Sequence, residues 1–163
     1  MPIPNTTRIL TVLLLSTSAL AQQQANRIVI EKSQHRMTLF AGSNILRIYR
    51  IAIGRGPTGP KLEQGDNKTP EGDYTVDGHN AHSAAHRSLH LSYPNAEDRA
   101  RAAKARVSPG GDIMIHGLPN GQGYIGTSHS ATDWTYGCIA VTDEEIEEIF
   151  TLVPNGTKVH IQP

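Results

Sequence analysis

The stretch Thr135-Tyr136-Gly137-Cys138-Ile139-Ala140-Val141 holds the only cysteine of the chain, placed directly after a glycine and directly before an apolar run. The apolar run reads as a short buried strand, and the glycine permits a sharp backbone turn into it. A thiol is a weak nucleophile until ionised, so a working cysteine needs an adjacent base or a positive local field. Upstream, Asp112-Ile113-Met114-Ile115-His116 reads as a second buried strand that delivers His116 at its end, next to Gly117. The twenty-two positions between His116 and Cys138 neither require nor forbid contact. Neighbouring strands can bring them together, and the 117–134 connection, with its four glycines, lets the chain fold back.

Around this pair the chain reads as mainly β, with two short helices. Strands are expected at 27–31, 36–40 and 45–53, the last two joined by the turn Ala41-Gly42-Ser43-Asn44. Residues 54–72 carry five glycines and three prolines, too many breakers for a regular element, and read as a long surface loop. Short strands follow at Tyr74-Thr75-Val76 and near 88–92. Asn95 caps a helix running to about Lys104 or Arg106, with Asp98 at its third position. Thr142 and Glu145 form a capping box for a second helix, whose Ile146, Ile149 and Phe150 share one face. Pro154-Asn155-Gly156 ends it, and 157–161 makes a final strand.

Residues 1–21 have one basic residue, Arg8, then an apolar run from Ile9 to Leu15, and end in Ala19-Leu20-Ala21. That is the layout of a secretory signal peptide, too short in its apolar part to span a bilayer. The expected organisation is a signal peptide at 1–21 and one domain at 22–163, exported to the periplasm or cell envelope with no membrane span after cleavage. The remaining 142 residues carry 14 basic and 15 acidic side chains, a balance that argues against nucleic-acid binding. One cysteine cannot form an internal disulfide, and a lone thiol in an exported protein is either a buried small hydrophobe or a reactive group.

Taken together, the histidine-glycine pair, the connection of under two dozen residues, and Thr135-Tyr136-Gly137-Cys138 followed by an apolar residue resemble the active-site signature of the L,D-transpeptidase catalytic domain, also called the YkuD domain. Gly59-Pro60-Lys61, Thr69-Pro70-Glu71-Gly72, Tyr93-Pro94-Asn95, Met114-Ile115-His116-Gly117 and Asp133-Trp134-Thr135 extend the resemblance over the whole mature chain. It implies a single mainly-β domain of sandwich or barrel type and an enzyme acting on peptidoglycan stem peptides. In such enzymes the cysteine attacks the carbonyl of a diamino acid at the third position and expels a terminal D-alanine. The thioester then passes to an amine of a second stem, to another amine such as that of a wall-linked lipoprotein, or to water. By this resemblance Cys138 is the nucleophile and His116 the general base, with a carbonyl near Gly117 orienting its ring. Amides of Tyr136, Gly137 and Cys138 form an oxyanion hole, and neither metal nor organic cofactor is implied.

Three features depart from the family pattern: Tyr136 stands where histidine is common, Ala140 where arginine or asparagine is common, and the connection to Thr135 is slightly long. The acceptor therefore stays open, as does the choice between transpeptidation and hydrolysis by a carboxypeptidase or amidase. Arg99 and Lys61 are candidates to hold a stem-peptide carboxylate in place of Ala140. Thr135 and Trp134 are supporting candidates, Trp134 either walling the cleft or bracing the loop. His129 lies in a serine-rich loop and reads as a solvated side chain, with approach to the site as the alternative. His79, His82, His86 and His90 have helical metal-ligand spacing, but Gly78, Asn80 and the strand-like Leu89-His90-Leu91 argue against a helix there.

Overall fold

A computed structural model describes residues 23–163; the expected signal peptide lies outside the described residues. Eight strands form one mixed sheet in the order β3-β2-β1-β8-β4-β5-β6-β7. They are β1 (Arg27–Glu31), β2 (Arg36–Ala41), β3 (Asn44–Arg50), β4 (Gly72–Ser83), β5 (His86–Leu91), β6 (Met114–His116), β7 (Ile139–Ala140) and β8 (Lys158–Gln162). Neighbours are antiparallel except β1 with β8 and β6 with β7. Among the described residues no helix is long and apolar enough to cross a membrane.

The expected β class is present, and the architecture is more specific than a sandwich or barrel. The sheet is not a closed barrel, because no continuous ladder joins its edge strands β3 and β7. Instead the chain leaving β3 makes two isolated bridges to the segment around Cys138, Ala52 with Ala140 and Gly54 with Thr135. The Ala52 and Ala140 amides donate to each other's carbonyls at 3.0 and 2.8 Å. This stitch brings the start of the 54–72 loop against the cysteine turn.

Alternation along the strands sorts side chains into core and surface. Ile28, Ile30, Met37, Leu39, Leu89 and Ile115 point into one core. Helix α2 (Asp143–Leu152) seals it with Ile146 and Ile149, both fully buried, each worth about 1.5–3 kcal/mol of transfer free energy. The Thr142 and Glu145 capping box is formed at its start. Helix α1 (Ala96–Ala105) carries the matching box of Asn95 and Asp98, and buried Asp98 also accepts from the Tyr74 hydroxyl.

Two elements differ from expectation. β4 is twelve residues long and continues well beyond Val76, because register shifts at Val76/Gly78 and Asn80/Ser83 let it bend past residues that break a simple alternation. The connection after Gly117 is partly ordered as 3-10 turns at Gly123–Ala131, kinked at Gly126. A further 3-10 turn occupies Lys32–Gln34.

Candidate active site

The parallel pair β6 and β7 sets the geometry. Ile115 faces Ile139 and His116 faces Ala140. Stepping the register back one residue matches Met114 with Cys138, so Met114, His116, Cys138 and Ala140 share the face opposite the buried Ile115 and Ile139. His116 on β6 and Cys138 just before β7 are therefore diagonal neighbours on one face of the sheet. Both are half-buried.

The His116 ring is held from two sides. Its Nδ1 lies 2.7 Å from the Gly117 carbonyl, which can only accept, so Nδ1 carries the proton and Nε2 keeps a lone pair. The Trp134 ring packs edge-on at 5.9 Å between centroids. Burial pushes the imidazole below its ordinary value, and the Gly117 carbonyl only partly offsets this. A Cβ on Gly117 would approach Asp143 Oδ1 to 2.8 Å, while that same carboxylate accepts the Leu118 amide at 2.8 Å. A side chain at 117 would collide with the carboxylate that fixes the chain just past the histidine.

The cysteine turn is tied by Thr135. Its buried hydroxyl donates to the Cys138 carbonyl at 2.7 Å and accepts from the Gly137 amide at 3.1 Å. Gly137 has φ of +131°, a region essentially reserved for glycine, and a Cβ there would meet the Lys68 carbonyl at 2.7 Å. The Gly137 amide is thus paired with the Thr135 hydroxyl in this structure. Tyr136 is 71% exposed and stacks under the Arg55 guanidinium at 4.3 Å.

The thiol points at the Asp112 carbonyl, 3.4 Å from the sulfur. Burial pushes the thiol above its ordinary value of 9.0; the Met114 amide, which donates to the sulfur, pulls the other way, Asp112 raises it and Lys61 lowers it. Burial thus favours the neutral form of both groups, lowering the imidazole and raising the thiol. The arrangement suits proton transfer during attack better than a standing ion pair.

A sequence model of the L,D-transpeptidase catalytic domain, YkuD, matches residues 25–161. The chain belongs to the L,D-transpeptidase catalytic domain family. Over 121 residues it is 33% identical to the Escherichia coli K12 protein named "Putative L,D-transpeptidase YafK", a match that covers 73% of this chain and 41% of that relative's length. The fold is similar to that of the helical cell shape determining protein Pgp2 of Campylobacter jejuni, with TM-score 0.62 and 22% identity over 86% of this chain and 48% of that one. It is also similar to an L,D-transpeptidase of Xylanimonas cellulosilytica, with TM-score 0.59 and 16% identity over 87% of this chain and 62% of that one. The chain spans under half the length of YafK and of Pgp2.

In this L,D-transpeptidase domain the remaining candidates fall in different places. Lys61 is buried and committed to Asp66 at 2.8 Å and the Glu63 carbonyl at 3.0 Å, so it acts on the thiol only through its field and is not free to grip a carboxylate. Arg99 is exposed on α1 and lines, with His90 and Asp77, a groove that no residue of the cysteine turn lines. Ala140 is fully buried and offers a substrate nothing. His129 is buried with an unpaired Nδ1 and lines, with Trp134, a cavity of about 380 Å³ beside the connection. The four spaced histidines sit on the β4 and β5 hairpin and diverge: His79 pairs with Asn155, His86 with Glu147 and His90 with Asp77. Sequence reasoning missed Asp112, whose positive φ of 54° turns its carbonyl toward the sulfur, and Asp133, which accepts the Ile53 amide at 2.9 Å and pairs with His35. Asp133 stood only inside the Asp133-Trp134-Thr135 motif with no part assigned to it, and both residues make their contacts across the fold.

Proposed function

We propose that this chain is an exported cysteine acyltransferase of the periplasm that acts on peptidoglycan stem peptides through a thioester on Cys138. The observation that carries the reading is the diagonal placement of an oriented imidazole on β6 and a half-buried thiol just before β7, on one face of the sheet. His116 Nε2 takes the thiol proton as sulfur attacks the carbonyl carbon of the diamino acid. The amides of Tyr136 and Cys138 receive the oxyanion, while Gly137 serves the turn sterically. Collapse breaks the amide bond, and the imidazolium returns the proton to the departing D-alanine amine. An incoming amine, from a second stem or a wall-linked lipoprotein, then attacks the thioester, gives its proton to His116 and restores the thiol. Residues 1–21 support export. The relative whose name concerns helical cell shape supports a part in wall remodelling.

Hydrolysis of the same bond is the second reading, favoured by the buried Ala140, which leaves no side chain at that position to anchor an acceptor. Incubation with disaccharide tetrapeptides followed by mass analysis separates the two: crosslinked dimers mark transfer, and shortened monomers mark hydrolysis. The Cys138→Ala and His116→Ala proteins are expected to yield neither. Absence of a covalent adduct on Cys138 with peptide and with a carbapenem would overturn both readings.

A further inference from the structure

The Gly117 carbonyl that holds the His116 ring belongs to a peptide unit whose other end is also held. Gly117 C=O and Leu118 N–H share one planar trans group, so they point in opposite directions. The carbonyl accepts from His116 Nδ1 at 2.7 Å, and the amide donates to Asp143 Oδ1 at 2.8 Å. A single peptide unit therefore stands between a carboxylate and the imidazole.

The fold builds this contact from several sides. The Val141 amide donates to the His116 carbonyl at 3.0 Å, which lays the start of α2 beside the chain leaving β6. Asp143 is the first residue of that helix, directly after the capping Thr142, and its side chain is only 22% exposed. Its two oxygens fill the space that side chains would need at two glycines. A Cβ on Gly117 would meet Oδ1 at 2.8 Å, and one on Gly123 would collide with Oδ2. His86 Nδ1 lies 3.8 Å from Oδ2, while its Nε2 pairs with Glu147 at 2.7 Å.

We infer that Asp143 is a positioning residue for the base, acting on His116 through the Gly117–Leu118 peptide. This role rests on His116 being the base of the proposed reaction. A carboxylate at the amide end makes the carbonyl at the other end a stronger acceptor, because hydrogen bonds in a chain polarise one another. The stronger acceptor fixes the proton on Nδ1, keeps the lone pair on Nε2, and stabilises the imidazolium that forms when the thiol proton is taken. It thereby opposes the burial that disfavours that cation.

Asp143→Asn keeps the side-chain shape and an oxygen for the Leu118 amide while removing the charge; Asp143→Ala removes both. Titration of His116 by its ring 15N and 1H NMR signals reads the effect without any substrate. The other titratable or charged groups around the relay stay in place in both variants: Cys138, His129, Glu145 of the α2 cap, and His86, Arg87 and Glu147 beyond Asp143. The Asn protein is expected to titrate at His116 about half a pH unit below wild type, since loss of a nearby negative charge disfavours the imidazolium. Its kcat for acylation of Cys138 by a tetrapeptide should fall about fivefold with KM unchanged, the difference between a charged and a neutral acceptor. The Ala protein should in addition populate the tautomer with the proton on Nε2. Glu147→Gln removes a charge from the same helix but not from the peptide, and should leave the His116 midpoint where it is. Equal His116 midpoints in wild type and the Asn protein would refute the relay, as would a Gln protein shifted as far as the Asn protein. Either result leaves the thioester reading standing. Wild-type protein that no tetrapeptide acylates would refute that reading alone, and the NMR titration would still decide the relay.

Discussion

Replacing Thr135 by valine keeps the shape of a side chain that is 3% exposed and removes only its hydroxyl. That hydroxyl satisfies two backbone groups of the cysteine turn, the Gly137 amide at 3.1 Å and the Cys138 carbonyl at 2.7 Å. Valine leaves both without a partner, at about 1–3 kcal/mol for each unsatisfied buried group. The Cys138 carbonyl is only partly shielded, so the lower half of the range applies to it, and the sum is about 3 kcal/mol. For a domain of this size that corresponds to a fall in Tm of about 10 °C. Serine retains the hydroxyl and loses one methyl, so Thr135→Ser should cost only about 1 kcal/mol. Urea unfolding of the three proteins, monitored by the fluorescence of the single tryptophan, measures the difference directly. Activity should fall further than stability, by roughly 100-fold in kcat for valine, because a displacement of about 1 Å at the attacking atom is that costly. A valine protein within about 0.5 kcal/mol of wild type would refute the claim that Thr135 ties the turn.

Alkylation of Cys138 by iodoacetamide should accelerate as pH rises and level off only above pH 9.0, because burial raises the thiol and lowers the imidazole. A rate already at its plateau at pH 7 would mean a standing thiolate and would contradict these shifts. Burial pushes Asp66 up, but Lys61 and the amides of Leu62, Lys68 and Glu63 outweigh it and hold the carboxyl at about 2, against an ordinary 3.8. A lowered carboxyl contributes stability above its unfolded value, so about 2 kcal/mol should be present above pH 3.8 and vanish as pH falls through 2. Asp66→Asn should lack that dependence in acid unfolding curves. Gly54→Ala should fail to fold or lose more than about 3 kcal/mol, since its Cβ would sit 2.2 Å from the Asn67 carbonyl and 3.0 Å from Gly137 Cα. Gly42→Ala, with φ of +61° and open space, should cost only about 1 kcal/mol, and calorimetry of both tests the contrast.

Local patterns made much of this protein legible. Alternation at 27–31 and 36–50, and the boxes Asn95 with Asp98 and Thr142 with Glu145, are written in residues that interact within one element or one hairpin, so they could be read before folding. His116-Gly117 and Gly137-Cys138 stood out as candidates because glycine, histidine and cysteine at strand ends have few structural reasons to coincide. The long β4 was not, because bulges at Gly78 and beyond break the alternation by which a strand is recognised.

The chain alone marked which residues are candidates for the chemistry, where many of its strands and both helices lie, and that its single thiol has no disulfide partner within the sequence. Only the tertiary structure decided that Thr135 occupies the Gly137 amide, that Lys61 is spent on Asp66, that Ala140 is buried, and that Asp112 and Met114 hold the sulfur. Each of these depends on contacts between residues far apart along the chain or on a register between strands. Hydrogen bonds and burial arise from distance in space, and sequence spacing carries that information only inside a single helix, strand or turn.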